Sequence, residues 1–183
     1  TPLDGLLLRI ELMFSRCHPW ENEDNLISDI LDGRGTSYER LGMWEEAEKD
    51  LKKSLKIIPD QPFVLNYLAY SWLERKINIS EAMEMLKKAN ELEQDNGYII
   101  DSLAWAFYLS NDYVKAKEVV RRAVELMPYD PVINDHYGDI LWKLDEKIQA
   151  RYFWKHALNS ENEDKEFIDS VNKKVIFGLA NHL

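Results

Sequence analysis

The segment from Gly97 to Asp130, GYIIDSLAWAFYLSNDYVKAKEVVRRAVELMPYD, can be laid over three other parts of the chain at a nearly constant offset. Small residues stand at Ala104, Ala116 and Ala123, large apolar ones at Ile100, Leu103, Phe107, Tyr113 and Val120, and Pro128 closes the unit. Thirty-four residues further on, the small slots are Gly138, Ala150 and Ala157 and the large ones Tyr137, Leu141 and Trp154. Upstream, the slots hold Ala69, Ala82 and Ala89 with Leu65, Leu68, Trp72 and Leu86, and one extra residue falls between Trp72 and Ala82. Gly35, Ala47 and Ser54 with Leu31, Tyr38 and Leu51 make a fourth copy, closed by Pro59. A fixed period near thirty-four in this small/large code predicts antiparallel helix pairs stacked as a solenoid.

Close packing explains the code. A Gly or Ala where two helices cross lets the backbones approach, and aromatic residues fill the next layer. Neither helix buries its apolar face alone, so only stacking of about three or more units gives a continuous core. These residues resemble tetratricopeptide (TPR) repeats over Ser28 to Leu158, in four units of which the first is degenerate. A closer resemblance is to the C-terminal part of larger bacterial TPR proteins, where runs like NYLAYSW (66–72), DNGYIIDSLAWAFY (95–108) and DPVINDHYGD (130–139) occur together. The resemblance implies an all-α, right-handed superhelical α-solenoid of about ten helices. One domain over 1–183 is expected: the second helix of a truncated repeat at 1–18, repeats at 25–59, 60–94, 95–128 and 129–158, and a capping helix at 164–181.

Charge narrows the partners. A formal charge of −10 and a pI of about 4.9 argue against nucleic acid and against an anionic membrane surface, both of which need a basic face. The single Cys17 leaves no internal disulfide, no Cys/His set has metal-ligand spacing, and no apolar run is long enough to span a bilayer. No cofactor is expected. The compartment stays open between bacterial cytoplasm and envelope, since any targeting signal would lie outside a sequence that begins at Thr1.

Thr1 to Arg16 reads as an amphipathic helix, with Leu3, Leu6, Leu7, Ile10, Met13 and Phe14 at helical spacing and Thr1 and Pro2 suited to its first turn. It is expected to pack on a helix over Asn25 to Leu41 and to leave apolar surface bare. Gly33 and Gly35 inside that helix would each cost about 1 kcal/mol relative to Ala, which predicts that a neighbouring backbone passes close to both. Asp60, Asp95 and Asp130 recur just before three first helices and are read as N-caps, not catalytic acids, with Ser80 capping a helix from Glu81. The extra residue near Ile77–Ile79 should widen that turn. Asp164 to Asn181 forms the closing helix, with Phe167, Ile168, Val171, Val175 and Leu179 on one side and Lys165, Asp169, Asn172 and Lys173 on the other. Ile176 and Phe177 widen its apolar face enough for a partner or a second copy.

Catalysis finds no support in nucleophile motifs, paired carboxylates or cofactor fingerprints. His136 and Asp139 stand one helical turn apart, the spacing of a weak metal or acid/base pair, against which a capped or solvated histidine is the simpler reading. The TPR resemblance implies that the first helix of each unit lines a concave groove, chiefly through its second, fifth, ninth and twelfth positions. Those slots hold Asp29, Asp32, Thr36 and Glu39 in the first unit, then Phe63, Asn66, Tyr70 and Leu73, then Tyr98, Asp101, Trp105 and Tyr108, and finally Val132, Asp135, Asp139 and Trp142.

Such a wall would be aromatic and acidic. Burying a partner's carboxylate beside Asp101 and Asp135 would cost several kcal/mol, so the expected partner is a neutral or basic peptide or helix. It would be anchored on Tyr70, Trp105, Tyr108 and Trp142 and paired to Asp101 and Asp135. A non-enzymatic interaction scaffold follows. The alternatives are an accessory subunit of a bacterial envelope enzyme such as a protease, and a homo-oligomer assembled through the terminal helices.

Overall fold

The computed structural model describes residues 23–159 and 164–179, and the helix expected over 1–16 lies outside them, as do Cys17 and residues 160–163. Every regular element among the described residues is an α-helix. In chain order these are α1 (Glu23–Arg40), α2 (Trp44–Ile57), α3 (Pro62–Glu74), α4 (Ile79–Leu92), α5 (Gly97–Leu109), α6 (Tyr113–Leu126), α7 (Pro131–Lys143), α8 (Lys147–Leu158) and α9 (Lys165–Phe177). The chain divides between Pro59 and Asp60 into two compact units.

In the first unit α1 packs on α2. The hydroxyls of Ser28 and Ser54 lie 2.8 Å apart at the buried crossing, and the Arg34 guanidinium bridges both oxygens of Asp50 at 2.5 and 2.9 Å. Arg34 therefore holds the Asp50 carboxyl below its ordinary range, against the opposing effect of burial. Gly35 is needed where it stands, since a methyl there would come within 2.9 Å of Leu51 Cγ and 3.2 Å of the Ala47 carbonyl. Gly33 is not: nothing lies within 4 Å of a methyl at that position, so the expected close approach exists at only one of the two glycines.

In the second unit each odd-numbered helix pairs with the next, α3 with α4, α5 with α6 and α7 with α8, and α3, α5 and α7 are successive neighbours. The small residues of the repeat code sit at the crossings. Ala69, Ala82, Ala89, Ala104, Ala116, Ala123, Ala150 and Ala157 are all fully buried, and a methyl on Gly138 would overlap the Trp154 indole. Trp72, Leu86, Val120 and Trp154, the large slots between them, are buried to 1% exposure or less. α9 lies against α8, with Val171 fully buried and Phe167, Val175 and Leu179 against the same core.

Turn chemistry follows the period. The three-residue links 41–43, 110–112 and 144–146 each place their middle residue at positive φ: Gly42 at 76°, Asn111 at 62° and Asp145 at 64°. The link 75–78 carries the extra residue and absorbs it as a second left-handed position, Lys76 at 55° and Asn78 at 48°. Of the three aspartates and one serine expected as caps, only Asp130 holds. Asp130 accepts from the amides of Val132 and Ile133 at 3.0 Å. Asn96, not Asp95, caps α5, accepting from Tyr98 and Ile99, and Gln61 occupies the N-cap of α3, its side chain making no bond to the helix's first amides.

The reason is the first helical residue. Pro131 directly follows Asp130, whereas Pro62 and Gly97 come two residues after Asp60 and Asp95, which leaves those aspartates one position too early. They pair across the helix hairpin instead, Asp60 with Lys88 and Asp95 with Arg122 at 2.8 Å. Ser80 lies inside α4, which starts at Ile79 behind Asn78.

Candidate functional site

Spacing of three, four and seven residues puts side chains on one face of a helix, and three such faces adjoin on α3, α5 and α7. At one end they enclose a pocket of about 490 Å³ whose lining includes Phe63, Asn66 and Tyr70 from α3, Tyr98 and Asp101 from α5, and Val132 from α7. Phe63 and Tyr98 form its rim at 61% and 56% exposure. Asp101 forms its floor at 5%. Two floor acceptors are buried without a hydrogen-bond partner, Asn66 Oδ1 and Asp101 Oδ1. Burial, then the charges of Glu74 and Asp101, push the Tyr70 hydroxyl far above its ordinary pKa, so it stays a neutral donor.

The middle of the face is a ring stack. Trp105 lies between Tyr108 and His136, with centroids 4.5 and 4.1 Å away and planes tilted by 8° and 12°. His136 Nδ1 meets Asp101 Oδ2 at 2.8 Å. Burial works against the imidazolium, but Asp101, then Asp135 and Asp139, outweigh it and raise the histidine's pKa. His136 is therefore neither solvated nor hydrogen-bonded to Asp139: its partner comes from the preceding repeat, thirty-five residues upstream. Among the described residues no group of three or more His, Cys, Asp or Glu side chains is arranged to hold a metal ion.

The third portion of the face is closed by α9. Lys174 Nζ donates to Asp135 Oδ2 at 2.6 Å and to Asp139 at 2.9 Å, and Trp154 Nε1 donates to Asp139 Oδ1 at 2.9 Å. Burial and the neighbouring Asp135 raise Asp139 to about 6, with Lys174 pulling the other way. Lys174 itself is raised, the two aspartates overcoming its burial. Trp142 is partly buried, with the Arg151 guanidinium 4.8 Å from its ring centroid and Gly178 packed so tightly against the indole that no side chain fits there.

The nine residues expected to line one groove thus divide among three environments. Asn66, Tyr70, Tyr98 and Asp101 reach the open pocket, Trp105 and Tyr108 form the stack, and Asp135, Asp139 and Trp142 lie beneath α9. Leu73, the twelfth slot of α3, is in the core at 1% exposure.

A sequence model of the tetratricopeptide repeat family matches residues 28–61. A TPR repeat-containing protein of Pseudomonas aeruginosa is 30% identical over 111 residues, 61% of this chain but only 19% of that relative's length. Residues 28–61 are thus a tetratricopeptide repeat by sequence, and the helix pairs that follow share the fold of solved TPR proteins. Solved TPR structures share the fold at lower identity: PilF of Pseudomonas aeruginosa gives a TM-score of 0.66 at 16% identity, covering 96% of this chain and 89% of its own. The first TPR domain of Spaghetti (RPAP3), solved with the HSP90 peptide SRMEEVD, gives 0.61 at 19% over 66% of this chain and 95% of its own.

Within this TPR frame, two members of the site escaped the repeat code. Asp101 and Asp135 occupy equivalent fifth slots thirty-four residues apart, and His136 directly follows the second, so the offset that pairs His136 with Asp101 was visible as a repeat length plus one. Lys174 carried no comparable signal. It adjoins the polar side of α9 read through Asn172 and Lys173, and only the seating of α9 on α8 turns it toward α7.

Proposed function

We propose that this chain is a protein-interaction module and that the wall formed by α3, α5 and α7 takes a segment of a partner protein that is neutral or basic and carries an apolar residue. The observation that supports this most directly is the open pocket with an aromatic rim over a buried, partly unpartnered aspartate. Large exposed aromatic rings beside a concave floor supply contact area at small entropic cost, the usual anchor of a peptide site. The floor sets the charge. A carboxylate brought against Asp101 would be buried beside another carboxylate, a loss of several kcal/mol.

The solved RPAP3 domain holds a peptide, SRMEEVD, that carries two glutamates and an aspartate. The acidic slots here favour the opposite ligand charge on the same kind of scaffold. A peptide array probed with the whole chain should show spots rich in Lys, Arg and aromatic residues, and Tyr98→Ala should weaken them. Equal or stronger capture by acidic peptides would overturn the reading.

A second contact surface is supported by Ile176 and Phe177, adjacent on α9 and 65% and 78% exposed. Self-association through that end predicts a dimer in light scattering that Phe177→Ser converts to monomer.

A further inference from the structure

We infer that the pocket between α3 and α5 is a subsite for one arginine side chain, held by Asn66 and Asp101 and enclosed by the rings of Tyr70 and Tyr98. The inference rests on the reading of this wall as a peptide site and names the residue the peptide must bring.

Three observations converge. The Asp101 side chain is only 7% exposed, lines the pocket, and spends one oxygen on His136 while the other has no partner. A carboxylate oxygen can only accept, so the unmet need is for a donor. A second unpartnered acceptor, Asn66 Oδ1, lies in the same lining on the neighbouring helix. The local charge is also unbalanced. Asp101, Asp135 and Asp139 face His136 and Lys174, leaving one negative charge unmatched, and Glu74 adds to it where it bonds Tyr70.

A cation would offset part of that charge, and the lining selects which. Guanidinium presents several N–H donors in a planar fork, so it can reach two acceptors on separate helices at once and still lie flat against an aromatic ring. An ammonium is a compact, strongly hydrated charge and gives up more on entering a pocket whose walls are mostly rings and aliphatic carbon. The rim residues Phe63 and Val132, exposed at 61% and 39%, then accept an apolar neighbour of that arginine.

The test uses the whole chain, isotope-labelled, and three acetylated, amidated tripeptides Ala-Xaa-Phe in which Xaa is arginine, lysine or the uncharged isostere citrulline. The arginine probe should shift the Asn66 side-chain amide and the Tyr98 signals and bind about tenfold more tightly than the citrulline probe, the scale of one or two charge-assisted hydrogen bonds. It should also bind several-fold more tightly than the lysine probe. Asn66→Leu, which leaves the Asp101–His136 pair in place, should erase the preference for arginine over lysine.

Equal binding of lysine and arginine, or of citrulline and arginine, at the same signals would overturn the arginine subsite and leave the peptide wall standing. If none of the three moved those signals, the wall itself would be refuted, and the subsite with it.

Discussion

Replacing Lys174 by methionine isolates the contribution of α9 to the second unit. The ammonium is the shared cation of Asp135 and Asp139, and the three side chains are only 17%, 11% and 7% exposed. Removing one partner from a buried ion pair leaves uncompensated charge and typically costs about 3–5 kcal/mol. Here an escape limits the loss. Asp139 already titrates near 6 because burial and Asp135 oppose its charge, and without Lys174 its pKa rises further, so it can take up a proton.

The sign follows from linkage. A group whose folded pKa lies above its unfolded value contributes stability below the unfolded value and loses it as pH rises through the folded one. Each further unit of upward shift adds about 1.4 kcal/mol of loss once the pH exceeds both pKa values. The Lys174→Met penalty should therefore be small at pH 5, grow above pH 6, and reach about 3 kcal/mol at pH 8. Urea unfolding followed by tryptophan fluorescence reads it, since Trp72, Trp105, Trp142 and Trp154 all lie in the second unit. Adding Asp139→Asn should recover most of the loss, because an amide oxygen still accepts from Trp154. A penalty below about 0.5 kcal/mol at pH 8, the scale of an exposed pair, or one flat from pH 5 to 8, would refute the reasoning.

His136 gives the second pH signature. Its folded pKa is raised above the ordinary 6.5, so the stability that His136→Gln removes should be fully present below that value and fade as pH rises through the folded one, measured as the difference between two urea titrations. Gly138→Ala should destabilise by about 1–3 kcal/mol through overlap with the Trp154 ring, whereas Gly33→Ala, with nothing within 4 Å, should stabilise by up to about 1 kcal/mol; thermal melts of both decide the pair. Tyr98→Ala, at a position 56% exposed, should weaken peptide capture while leaving the melting temperature within a few degrees of wild type, a combination that a purely structural tyrosine would not give.

The helices and their crossings were legible because each is set by local chemistry at a fixed interval. Ala104, Ala116 and Ala123 had to be small wherever a partner helix crossed, and the same slots repeat thirty-four residues away. Cap positions were less legible, since a shift of one residue between Asp60 and Pro62 changes which side chain meets the first amides. The face of α3, α5 and α7 was legible as a set of slots, yet its partition was not. Whether Asp135 faces an open groove or a lysine depends on where α9 settles, and that is decided by the packing of Phe167, Val171 and Val175 on the core. Asp101 shows the same limit. Its position on α5 follows from the period, while the bond to His136 depends on the rotation of two neighbouring helices, which the period alone does not specify.

The two aspartates beneath α9 also carry a rule for extending the array. Stacking is otherwise indifferent to count, because one alanine-lined crossing serves as well as the next. A further helix pair placed where α9 now lies would bring apolar residues against Asp135 and Asp139 and strand both, unless it supplied a cation at the same height. Polarity buried in the repeat formed by α7 and α8 thus restricts which helix can be stacked against it.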